Sequence, residues 1–277
     1  MFKRIVFFAY GVACYLVFFA TFLYAVGFIG GFGVPTTLDG ASRGPLARGI
    51  AVDAALLALF AIQHSVMARR WFKERWTRIV PPALERSTYV LLSSVALIAM
   101  FRFWQPLGGV VWSVSDPAGR IVLRALFAFG FGLVLISTFL INHFDLFGLR
   151  QVWLYLRGRA YRHLEFGTPG PYRLVRHPLY VGWFFAFWST PTMTYAHLLF
   201  VVATAAYILL AIQFEERDLV REHGHAYEDY RRRVPMLLPF TRGASSSRVR
   251  QVGTAALVMF ALKGLVWLAI AGLAFWR

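Results

Sequence analysis

Residues 176–216 read RHPLYVGWFFAFWSTPTMTYAHLLFVVATAAYILLAIQFEE, an apolar stretch that opens on Arg176-His177 and closes on Glu215-Glu216. A helix needs roughly 20 residues to cross about 30 Å of hydrocarbon, so this stretch is too long for one span. It is broken near Ser189-Thr190-Pro191-Thr192, which predicts a tight helical hairpin over 178–214 with both ends on the same side. Ionisable groups cost several kcal/mol or more to hold in hydrocarbon. A cluster of Arg, His and two Glu at the mouth of a buried hairpin therefore marks a functional site.

The remaining chain reads the same way. Its 277 residues are 58% apolar and 17% aromatic, with a mean hydropathy of +0.58, far from a soluble domain, where apolar usage runs nearer half and charged residues near a quarter. Runs long enough to span lie near 5–29, 48–68, 84–104, 120–141 and 252–275. The expected fold is all-α: a polytopic transmembrane helical bundle of five spans plus the hairpin and a cytoplasmic interfacial helix over 215–233. That helix carries Glu215, Glu216, Arg217, Asp218, Arg221, Glu222 and Glu228, too much charge to span. One integral-membrane domain covers 1–277, in which the small polar segment 243–247 links the hairpin region to an additional C-terminal helix at 252–275. The N-terminal run after Lys3 and Arg4 lacks a small-residue cleavage site and reads as a retained helix, not a removed signal peptide.

Charge sets the expected sidedness. Of the 29 Lys and Arg residues, 22 fall in 1–4, 69–86, 150–176 and 217–250, so the positive-inside rule places the N-terminus, His177 and Glu215 on the cytoplasmic side. The net charge of +16 needs no nucleic acid, because the basic residues cluster between apolar runs, where loops and anionic headgroups account for them. Cys14, the single cysteine, excludes an intramolecular disulfide framework and multi-cysteine metal sites. His223 and His225 lie on a soluble helix, and no metal is expected. Gly30, Gly31 and Gly33 miss the spacing of a dinucleotide-binding turn.

At the hairpin mouth, Pro178 disfavours helical backbone at His177 and suits the first helical position itself. The unpaired backbone donors there, with Arg176 and His177, would hold an anion such as a carboxylate. Glu215 and Glu216 offer acceptors for an ammonium group or for ribose hydroxyls. A zwitterionic ligand would satisfy both. The alternative is internal: Arg176 reaches the headgroups, and the glutamates form an interfacial salt bridge with Arg176, Arg217 or Arg221.

The run Arg176-His177-Pro178-Leu179-Tyr180-Val181-Gly182 with Glu215-Glu216 resembles the integral-membrane methyltransferases that include the isoprenylcysteine carboxyl and phospholipid methyltransferases. The resemblance covers mainly residues 165–240 and implies a cofactor-binding core there, with S-adenosylmethionine as cofactor and S-adenosylhomocysteine as product. It implies a pocket of Arg176, His177, Pro178, Tyr180, Gly182, Glu215 and Glu216, with backbone near Tyr172 and Val175. Gln63-His64-Ser65-Val66-Met67-Ala68-Arg69 and Asn142-His143-Phe144-Asp145-Leu146-Phe147-Gly148-Leu149-Arg150-Gln151 extend the likeness over most of residues 1–240. They resemble the nurim-like family, whose bacterial thiol methyltransferases convert methanethiol to dimethyl sulfide. On that resemblance Gln63, Asn142 and Gln151 would contact a small thiol.

A thiol attacks as thiolate, a small fraction of the total at neutral pH. His64 or a His143-Asp145 pair is therefore expected to take its proton, and Arg150 to favour the anion. Trp183, Phe184 and Phe144 could exclude water and face the sulfonium. The partners implied are the thiol and membrane lipids, with no obligate protein partner. The alternatives are methylation of a lipid or prenylated cysteine, an NADPH-dependent membrane reductase with a similar Arg-His-Pro-x-Tyr segment, and a non-enzymatic nurim-like membrane protein.

Overall fold

The computed structural model describes residues 1–239; the linker at 243–247 and the helix expected over 252–275 lie outside the described residues. Within them the chain is almost wholly helical: α1 Phe2–Gly30, α2 Leu46–Ala68, α3 Arg70–Trp76, α4 Pro82–Phe103, α5 Pro117–Ile141, α6 His143–Leu146, α7 Leu149–Leu156, α8 Pro178–Trp188, α9 Tyr195–His223 and α10 His225–Arg233. Five of these, α1, α2, α4, α5 and α9, are long and apolar enough to cross a membrane. Their limits follow local chemistry. Gly31 ends α1 at φ 73, its N–H bonded to Gly27 O. Pro117 occupies the first turn of α5, and the Asp116 carboxylate accepts from Gly119 N at 2.6 Å.

The hairpin forms where the sequence breaks, but its arms are unequal. α8 has 11 residues, about 16 Å of helix, whereas α9 has 29, about 43 Å. The extended segment between them makes up part of the difference. Thr194 starts α9 by accepting from His197 N at 3.2 Å. Nothing after Phe214 interrupts helical backbone, so α9 continues through Glu215 and Glu216 until Gly224, at φ 55, stops it. The single helix expected over 215–233 is thus the end of α9 plus α10. Among the described residues, α9 supplies the fifth span.

A feature without a sequence signal ties the tip down. β1 (Val110–Ser113) in the α4–α5 connection pairs antiparallel with β2 (Thr192–Thr194) in the hairpin, with Val110 opposite Thr194. The α1–α2 loop joins them, since Asp39 accepts from Thr194 Oγ1 at 2.6 Å and pairs with His197 Nδ1 at 3.2 Å. These three connections share one face. The opposite face gathers Arg69 with Asp218, Ser87 with Gly148, and Tyr172 with Tyr230. Contacts therefore sort the loops onto two faces as the expected parity requires.

The largest core cluster, including Phe28, Met100, Trp104, Met193, Ala196 and Phe200, lies toward the β1–β2 face. Close helix approach occurs at Gly182 of α8 and Gly130 of α5: a Cβ on Gly182 would stand 2.8 Å from Gly130 O and 2.9 Å from Val134 N. Small residues at such a seam let backbones meet, as is usual inside membranes.

Candidate functional site

His177 takes φ −125 and ψ 63 as the cap of α8, with Pro178 in the first turn, so the helix starts at the proline as expected while His177 itself is non-helical without being fully extended. The Arg176 and His177 N–H groups donate to Pro235 O at 2.8 Å and Met236 O at 3.2 Å. Arg176 Nη1 donates to Arg231 O (2.9 Å) and Val234 O (2.7 Å). The segment after α10 is thus drawn over the hairpin mouth. Tyr230 OH reinforces it with a 2.6 Å bond to Tyr172 O.

The two sides of the mouth touch. Arg176 Nε donates to Glu216 Oε1 at 2.7 Å, and His177 Nε2 donates to the same oxygen at 3.2 Å. The Arg176 and Glu216 side chains are only 11% and 13% exposed. Glu216 is therefore consumed by an internal ion pair. Glu215 differs: it is 45% exposed, takes Tyr180 OH on Oε2 at 2.9 Å, and has no partner for Oε1 among the described residues. Burial raises the phenols of Tyr172 and Tyr227 above their usual range and pushes Tyr230 up to about 12, so all three stay neutral near pH 7. The buried Tyr227 hydroxyl has no hydrogen-bond partner and lies within electrostatic reach of Glu216, Arg176 and Glu215.

His64 sits on α2 against α4. Ser93 Oγ spends its proton on Tyr89 O (3.0 Å), so at 3.2 Å it accepts from His64 Nδ1–H. His64 Nε2 then keeps its lone pair. Tyr89 OH lies 2.9 Å from each ring nitrogen of His64 and 3.3 Å from His64 O, so it is placed to accept from Nδ1–H and to donate to Nε2 or to the carbonyl. Gln63 donates to Met67 Sδ at 3.1 Å and leaves a buried, unpaired Oε1. Ser65 Oγ donates to Tyr207 OH at 3.2 Å, and Tyr207 and Tyr89 both lie within electrostatic reach of Tyr180. The Gln63-His64 patch and the Tyr180-Glu215 patch therefore meet along one seam between α2, α4, α8 and α9.

The Asn142–Gln151 segment is built differently from the expected His143-Asp145 pair. Thr138 Oγ1 spends its proton on Leu135 O (2.7 Å) and so accepts from His143 Nδ1 at 2.8 Å, while Tyr15 OH donates to Nε2 at 2.9 Å. His143 is 2% exposed and stacks on Phe139. Burial lowers its pKa, in keeping with a neutral ring whose nitrogens are both engaged. Asp145 turns away to Arg150 Nη1 (2.8 Å) and Tyr161 OH (3.2 Å). Asn142 Oδ1 caps Asp145 N, and Gln151 Nε2 donates to Asp145 O, each at 3.1 Å. The stacked rings of Phe18 and Phe147 touch His143 and also pack on the Met67-Tyr89 cluster, so they stand between this segment and His64.

Gly182 is held by α5, Trp183 packs with Phe131 and Phe187, and Phe144 is 51% exposed. Val175 and Pro178 are buried at the hairpin mouth. The sequence reading missed Tyr89, Ser93, Tyr207 and Tyr227. For Tyr89 and Ser93 a signal existed: they lie four residues apart, hence on one helix face, in an otherwise apolar run.

Fold and site define a polytopic helical membrane protein with a charged, tyrosine-lined site at the mouth of a hairpin. The chain is 56% identical over 231 residues to a protein named methanethiol S-methyltransferase from Crocosphaera subtropica, covering 83% of this chain and 91% of that one. A protein of the same name from Mycobacterium tuberculosis is 53% identical over 238 residues, 86% of this chain and 98% of that one. Nurim from Xenopus laevis is 32% identical over 178 residues, 61% of this chain and 62% of that one. No family model matches, and no solved structure does. The chain belongs to the methanethiol S-methyltransferases of the nurim-like family.

Proposed function

We propose that this protein methylates a small thiol, methanethiol, to dimethyl sulfide with S-adenosylmethionine as donor, in a site open to the cytoplasm. The observation that carries the reading is the near full-length likeness to proteins named for that reaction. The local chemistry supports it. Glu215 Oε1 and the orphaned Tyr227 hydroxyl fit a ligand with an amino group and ribose hydroxyls, and the Arg176-Glu216-His177 cluster braces the mouth around them. When bound, the donor supplies an electrophilic methyl group on a sulfonium.

The chain's own task is to place and deprotonate the thiol. His64 Nε2 takes the thiol proton when Tyr89 OH turns from the imidazole to His64 O, an acceptor already within 3.3 Å. Gln63 Oε1 is the unpaired acceptor on the same patch that orients the S–H. His143, Asp145, Arg150 and Asn142 support the fold around this seam through bonds to one another and to Tyr15, Thr138 and Tyr161, while Gln151 donates to Asp145 O and keeps a buried, unpaired Oε1. Attack on a sulfonium neutralises charge, so a site poor in water favours it.

The test is headspace detection of dimethyl sulfide from methanethiol and methyl-labelled S-adenosylmethionine with purified protein. His64→Ala should lower turnover by about 10²-fold or more while still binding S-adenosylhomocysteine. Label appearing in prenylcysteine or phosphatidylethanolamine, with none in dimethyl sulfide, would overturn the assignment.

A further inference from the structure

We propose that a basic groove beside the hairpin mouth binds the phosphate-bearing headgroup of an anionic phospholipid. The groove has a volume of about 510 Å³ and lies between the α2–α3 corner and the last turns of α9. Its walls carry the guanidinium groups of Arg69, Arg70, Arg217 and Arg221 against two carboxylates, Glu74 and Asp218.

The charges do not cancel. Asp218 is shared between Arg69 Nη1 at 3.0 Å and Arg221 Nη1 at 3.5 Å, and Glu74 pairs with Arg70 Nε at 2.8 Å. Arg217 has no carboxylate partner among the described residues. Arg69 is fixed by its Nε bond to Ser65 O (3.2 Å), by Asp218, and by stacking 5.2 Å over the Phe214 ring, while Arg217 stands 5.8 Å from that ring. A preset guanidinium beside an unpaired one suits a phosphate, which accepts from planar forks of N–H donors.

Depth favours a lipid as the source of that phosphate. From the start of α9, Phe214 is 19 residues along, a rise of about 29 Å, close to the hydrocarbon thickness of roughly 30 Å. Arg217 and Arg221 then lie in the headgroup layer, and Arg69 directly follows the last residue of α2. Trp71, half exposed at the rim, is a residue type that settles at this interface. Acyl chains would run down the outer surface of α2 and α9.

The experiment compares delipidated wild type with Arg70→Gln/Arg217→Gln in phosphatidylcholine nanodiscs with and without phosphatidylglycerol. Retained lipid is read by native mass spectrometry and stability by melting temperature. Arg159→Gln/Arg162→Gln, on an exposed loop of the same face, controls for the loss of two positive charges. Wild type and this control should retain phosphatidylglycerol and melt higher with it, and Arg70→Gln/Arg217→Gln should retain it on the order of tenfold less. Equal retention by Arg70→Gln/Arg217→Gln and wild type would overturn the proposal. So would full reproduction of the stabilisation by soluble glycerol phosphate, which would make the groove a free-anion site.

Discussion

Glu215 and Glu216 are adjacent carboxylates with opposite fates. Their separation follows from the helix: consecutive residues point about 100° apart, which turns Glu216 onto Arg176 and leaves Glu215 half exposed beside Tyr180. Breaking a buried ion pair by neutralising one member strands the other charge, at a cost of about 3–5 kcal/mol. Glu216→Gln should therefore melt several degrees lower in detergent. Glu215→Gln should keep the wild-type melting temperature and lose affinity for S-adenosylhomocysteine by titration calorimetry. If Glu216→Gln melted like wild type, the brace would not exist. His143 predicts a pH effect of definite sign. Its folded-state pKa lies below the ordinary 6.5, so the unfolded chain binds the proton more readily, and stability falls as pH drops below about 6.5. Replacing the imidazole in His143→Gln removes that titration. Between pH 7 and pH 5 the variant should lose less stability than wild type in melts across that range.

At the scale of elements, Gly182 lies inside the motif that resembles membrane methyltransferases, yet its surroundings are the backbone of α5. A Cβ there would meet Gly130 O and Val134 N, atoms that cannot swing aside. Gly182→Val should cost about 1–3 kcal/mol by overpacking, seen as a lower melting temperature. Loss of activity at wild-type stability would return Gly182 to the ligand. The same elements show what local sequence can convey. The His177-Pro178 helix start, the break at Ser189–Thr192 and four of the five described spans obey rules that act over a few residues, and all were legible. The long run of α9 past Glu216 was not, because charge at 215–222 reads as an interfacial helix whether or not it continues a span. Partnerships at distance left no local trace: Tyr89 meets His64 across 25 residues, and Tyr230 meets Tyr172 across 58. His143 and Asp145 misled for the opposite reason, since proximity in sequence suggested a pair that Tyr15 and Arg150 each divide.

For the whole molecule, the two sets of connections determine which surface carries the site. Asp39, β1 and β2 are bound together on one face, whereas Arg69, Tyr172, Arg176 and α10 are bound together on the other. The described structure is consistent with only two orientations, related by inversion across the bilayer. The skew of Lys and Arg favours the one in which the hairpin mouth faces the cytoplasm, where basic loops are retained. The lone cysteine makes this testable, because Cys14 is 2% exposed and can be replaced without losing a partner thiol. In a Cys14→Ala background, Ser115→Cys reports the β1–α5 connection and Arg159→Cys the segment after α7, both exposed. In intact cells a membrane-impermeant maleimide should label Ser115→Cys and spare Arg159→Cys until the membrane is opened. The reverse pattern would put the hairpin mouth outside the cell, away from a cytoplasmic supply of the methyl donor. The proposed reaction would then need a different source of that donor, even if every contact at the site were correct.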